Sequence, residues 1–166
     1  LVEIQALTNP TSFGNPRRTP IGVDMNRLFL ISAVISRRIG LRLSEQDIFV
    51  NVVGGMHISE PAADLAIAAA IVSSVKNQPI RADAVMIGEV GLSGELRGSG
   101  KLSSRLKEAR KLGFTTAVIP KSIHHKEKYP EGMNVKEFRT LREALMFILL
   151  PVAEKEGTSS DSDIIN

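Results

Sequence analysis

A chain of 166 residues, 43% hydrophobic and 23% charged, can bury one sizeable core and has the charge content of an ordinary globular domain. It holds no cysteine, which removes disulfides, thiolate nucleophiles and cysteine-bound zinc; aromatics at 4% and no tryptophan argue against a base-stacking platform. The net charge is a modest +3, and no apolar run reaches about 18 residues, so no membrane span is expected.

Residues 2–7 alternate Val2, Ile4 and Ala6 with Glu3 and Gln5, predicting a strand with one polar face. No basic stretch precedes them, so they do not read as a signal peptide, and a chain that opens inside a strand reads as a piece of something longer. Segment 8–22 reads as a long loop punctuated by Pro10, Gly14, Pro16 and Pro20, with Arg17 and Arg18 at its centre. Asp24 is a fitting N-cap for a helix to residue 39 that aligns Leu28, Ile31, Val34 and Ile35; Gly40 ends it. The β-formers of 47–53 predict a strand buried on both faces, turned by Gly54-Gly55. Glu60 and Pro61 then start an alanine-rich helix over 62–75, suited to close approach of neighbouring backbone.

Residues 84–90 predict a second buried strand, with 92–96 as its hairpin partner. A basic helix over 101–112 turns Leu102, Leu106, Ala109 and Leu112 inward, and Lys101, Arg105, Lys107, Arg110 and Lys111 outward. Strands follow at 115–119 and 134–138, and Thr140 caps a last helix to residue 150. Strand–helix alternation makes this one α/β domain over residues 1–150, with residues 151–166 as a flexible C-terminal tail.

The three histidines form neither a metal nor a triad pattern. His124 and His125 are adjacent and diverge on a helix, whereas His57 lies near Ser59, Glu60 and Asp64 with no spacing that demands catalysis. Gly98-Ser99-Gly100-Lys101 imitates a phosphate loop, but Leu102 stands where a magnesium-binding Ser or Thr is needed, and Glu95 where the first Gly belongs. Charge falls in blocks: residues 1–44 hold six arginines against two acids, 45–100 three basic and seven acidic, 101–156 twelve basic and seven acidic. Two basic flanks around an acidic centre suit a polyanion, and equally suit solvated helix faces.

Ile87-Gly88-Glu89-Val90-Gly91-Leu92-Ser93-Gly94 resembles a hairpin of the Lon family of ATP-dependent proteases, and Glu60-Pro61-Ala62-Ala63-Asp64 falls on that family's nucleophile motif. The resemblance implies a Lon proteolytic-domain-like fold, α/β with a mixed sheet and packed helices. It also places the nucleophilic Ser position on Ala62 and the Lys position on Ser103. A methyl group cannot attack a carbonyl, and a Ser–Lys dyad needs both a hydroxyl and a neutral amine. Ser103 or Ser104 with Lys101 as base is the remaining peptidase reading.

Asn51-Val52-Val53-Gly54-Gly55, Glu60 to Ala66, Gly88 to Leu92 and Asn26-Arg27-Leu28 together resemble the C-terminal domain of the RadA (Sms) family, over about residues 2–149. That resemblance implies a hexameric ring, sequence-independent contact with single-stranded or branched DNA during branch migration, and a RecA-type recombinase partner. It places ATP, magnesium and zinc in zinc-finger and RecA-like ATPase domains that this stretch does not contain. It implies a bacterial cytoplasm, or a mitochondrion or chloroplast for a plant copy. The expected phosphate contacts are Arg17, Arg18, Arg27, Lys101, Arg105 and Lys121. A pure oligomerisation scaffold without DNA is the alternative.

Overall fold

The computed structural model describes residues 1–12, 14–121 and 129–152. His124, His125 and nearly all of the expected tail lie outside the described residues. Strand β1 (Ile4–Pro10) pairs antiparallel with β3 (Gln46–Val52), and β2 (Arg18–Ile21) pairs parallel with the other side of β3. The expected loop at 8–22 is therefore shorter than composition suggested. Thr8 to Pro10 extend β1, and Pro20 is accommodated because β2 is an edge strand, with no second ladder to receive an N–H.

β3 also departs from expectation, for it is buried on one face only. Ile48, Val50 and Val52 are buried, but Phe49 is 37% exposed. A mixed sheet of three strands with helices on one side leaves its other face to solvent, and period-two alternation follows. Helix α1 (Met25–Val34) and helix α2 (Asp64–Lys76) cover the inner face. Asp24 caps α1 by accepting from the Arg27 amide, and the helix widens into a π-turn over Ile35–Ile39 before left-handed Gly40.

The expected strand at 84–90 is two strands in different sheets. β4 (Ala84–Met86) joins an all-parallel sheet with β7 (Thr116–Pro120) and β8 (Asn134–Phe138), in the order β4-β7-β8. β5 (Glu89–Val90) forms a hairpin with β6 (Leu96–Arg97). The chain changes sheets at Gly88, where an added Cβ would lie 3.1 Å from the Pro120 ring. Helix α3 (Leu102–Lys111) buries Leu106 and Ala109, whereas Leu112, expected inward, is 54% exposed because the helix has ended before it. Helix α4 (Leu141–Ile148) opens with the capping box of Thr140 and Glu143.

Candidate functional site

The turn at residues 60–64 is where the chain gathers its charged side chains. Pro61–Ala63 form one 3-10 turn that leads directly into α2. The Gly88 amide donates to the Ala62 carbonyl at 2.8 Å, and the Leu65 amide donates to the Gly88 carbonyl at 3.0 Å. The turn is thus sewn to the start of β5. The Ala62 methyl, only 4% exposed, packs in an apolar cluster with Val85, Ile87, Leu106 and Ala117.

Asp64 points the other way and is 1% exposed. It accepts both a bidentate pair from the Arg27 guanidinium and, at 3.0 Å, the Val90 amide. Burial raises its carboxyl above the ordinary range, against the pull of the Arg27 and Val90 hydrogen bonds; the same partnership holds the Arg27 guanidinium above its usual value. Glu89 adds a weaker contact to Arg27 at 3.9 Å. From the opposite side Arg105 reaches Glu60 at 3.1 Å and also donates to the Gly100 carbonyl. One turn therefore ties together α1, α2, α3 and β5.

The expected phosphate contacts divide by what they already hold. Arg27 and Arg105 converge on this turn, each on a carboxylate. Arg18 lies on the inner side of β2, where its guanidinium donates to the carbonyls of Leu43 and Gln46 at 2.6 Å, and burial lowers its pKa. Arg17, on the same strand's approach, is exposed; its amide, rather than its side chain, binds Asp47. Lys101, in the left-handed conformation at φ 62°, and Lys121, following β7, are exposed. Among the described residues, Arg17, Lys101 and Lys121 make no ion pair.

The peptidase readings find little geometry. Ser103 is half-buried in the first turn of α3 and Ser104 is exposed; no described hydrogen bond links either to Lys101. His57 is exposed beside the Ile58–Val23 bridge, and Asp64 is turned away into its ion pair. Gly98 to Lys101 follow an antiparallel hairpin rather than a buried parallel strand. Sequence reading missed a further group: Arg38, Arg97, Arg139 and Arg142, exposed around the β5–β6 hairpin. No spacing flags residues that only topology assembles.

The family described as subunit ChlI of Mg-chelatase matches residues 27–123, from α1 to just past β7. The DNA repair protein RadA of Halalkalibacterium halodurans and that of Bacillus subtilis are each 47% identical over 145 residues, and that of Escherichia coli is 45% identical over the same length. Each alignment covers 87% of this chain and 31–32% of the relative, so the chain spans about a third of the length of these curated relatives.

Proposed function

Because the chain belongs to the family described as subunit ChlI of Mg-chelatase and matches the DNA repair protein RadA over 87% of its length, we propose that it is a non-proteolytic Lon-like domain that helps a DNA repair protein assemble and hold DNA without reading sequence. The observation that carries this reading is the filled turn at 60–64. Where the resembled peptidases place a nucleophile, a buried methyl packs against Val85 and Leu106, and the flanking acids are committed to Arg27 and Arg105. Such a turn fastens elements together and offers no oxygen to a carbonyl.

Two surface features support binding and assembly. Among the described residues Arg17, Lys101 and Lys121 are exposed cations that make no ion pair, Arg17 feeling only the through-space pull of Asp47, and such side chains can release counterions from a phosphate backbone. On the outer face of the first sheet, Leu7 and Ile21 are each 56% exposed beside Phe49. That apolar face suits a ring interface between copies, hexameric by resemblance. In the whole protein, ATP, magnesium and zinc would belong to ATPase and zinc-finger domains, with a RecA-type recombinase as partner on branched or single-stranded DNA. The named relatives are bacterial, which favours a bacterial cytoplasm.

Fluorescence anisotropy with two labelled oligonucleotides of unrelated sequence tests the reading. Equal affinities are expected, with log K falling against log salt at a slope of about −2 to −3 for three phosphate contacts. A slope near zero removes DNA and leaves the scaffold alternative. Turnover of casein would restore the peptidase.

A further inference from the structure

We infer that the tip of the β5–β6 hairpin is a phosphate-binding seat for nucleic acid, built by arginines from three distant segments. The inference rests on the DNA-binding reading above and names a part of the surface that reading did not include. The hairpin turn packs against the end of the first helix: an added Cβ at Gly94 would lie 3.1 Å from the Arg38 side chain, and Arg38 Nε donates to the Leu92 carbonyl at 3.3 Å. Arg142, in the first turn of α4, donates in turn to the Arg38 carbonyl. Arg97 lies on β6 itself, and the Leu96 amide donates to the Arg139 carbonyl at 2.8 Å. The Gly94 carbonyl receives the Leu141 amide, and Glu95 bridges to Thr140, so the frame beneath these side chains is backbone-bonded on both sides.

Charge at the tip is unbalanced. Among the described residues three carboxylates adjoin these four arginines, and each is already engaged: Glu89, opposite Arg97 in the hairpin register, leans toward Arg27 at 3.9 Å. Glu95 is bound by Ser93 and Arg97, and Glu143 caps α4 by accepting from the Arg139 and Thr140 amides. Arg38, Arg139 and Arg142 make no ion pair among the described residues. Guanidinium forks match phosphate oxygens two at a time, and those without an internal carboxylate are available to do so. Leu92, 70% exposed, stands at the apex between them. A convex apex flanked by cations fits a sugar–phosphate backbone, with the leucine against sugar or base edges. An acidic peptide is the poorer fit, because it needs a groove for its own backbone.

The test uses the 166-residue chain, a labelled single strand and a labelled duplex, with thermal melting of every variant. Arg38→Ala with Arg142→Ala should weaken binding about tenfold and reduce the salt slope by about 2, whereas lysine at both positions should restore most of the affinity. Arg139→Gln, which keeps the backbone amide that Glu143 accepts and adds no carboxylate beside that cap, should weaken binding severalfold with little change in melting temperature. If the parent chain binds DNA, and Arg17→Glu or Lys101→Glu weakens it while all the hairpin variants bind normally, the seat is overturned and the broader reading stands. If the parent chain shows no salt-dependent binding, the broader reading fails first. Selective loss of polyglutamate binding in the hairpin variants would assign the surface to an acidic peptide instead.

Discussion

Among the described residues Asp64 is the buried residue with an ionisable side chain. Three elements meet on its two oxygens through Arg27 and the Val90 amide. Removing one partner leaves an uncompensated charge in the interior, so Arg27→Ala should cost about 2–4 kcal/mol in denaturant unfolding, with the lower end reflecting the partial exposure of Arg27. The pH dependence has a definite sign. An acid whose folded pKa is raised gives most stability below its unfolded value and loses it as pH rises through the folded one. The Arg27→Ala deficit should therefore be larger at pH 7 than near the acid end; an equal deficit at both would mean that Asp64 is not the group left exposed to the penalty. At Ala62, Ala62→Ser should restore no peptide turnover, and should cost about 1 kcal/mol because the new hydroxyl enters an apolar cluster. Measurable turnover by that variant would show the turn to be a dormant catalytic centre. Arg27 and Arg105 look like any other surface cation in the sequence. The separation of 37 positions between Arg27 and its carboxylate partner carries no pattern that announces the pairing.

Capped and continuous elements were readable from local chemistry. Asp24 and Thr140 each sit at an N-cap and accept the amide expected of them, and β8 falls on residues 134–138 as its residue types suggest. Elements that depend on remote partners were not readable. β2 contains a proline and two polar residues, and becomes a strand only because β3 offers it an edge. At the break, Gly88 has no room for a side chain because Pro120 and Leu65 stand against it, a fact of β7 and α2 rather than of segment 84–90. At the hairpin, Glu95 is held at a pKa of about 2, first by the Ser93 hydroxyl, then by backbone hydrogen bonding and Arg97. Its folded pKa lies below its unfolded one, so its contribution is present above about 4.5 and is lost as pH falls toward about 2. Protection of the Ser93 amide, whose N–H donates to Glu95, should fall relative to its intrinsic exchange rate across that window while protection in α4 is kept; a uniform loss of protection would mean that the hairpin does not loosen by itself.

Among the described residues the molecule holds two apolar clusters, and the parallel sheet decides whether they behave as one. Along β7, Ala117 and Ile119 face the smaller cluster beneath α3, whereas Val118 faces the larger one shared with α2 and α4. Val85, Ala117 and Val135 form one registered row on the first side, and Met86 lies beside Val118 on the second. Neither cluster can lose its strand without stripping the other, and the Asp64 and Gly88 contacts sew the same seam from the side of α2. Folding should therefore be cooperative. Leu106→Ala, at the fully buried centre of the smaller cluster, should cost about 2–5 kcal/mol and shift one transition rather than split it. Denaturant titrations followed by far-ultraviolet circular dichroism and by methyl resonances of Leu28 would report the two regions separately. Non-coincident midpoints in the variant would show α3 unfolding alone. Coincident ones would mean that α3, with Lys101 at its start, unfolds with the rest of the domain as one cooperative unit.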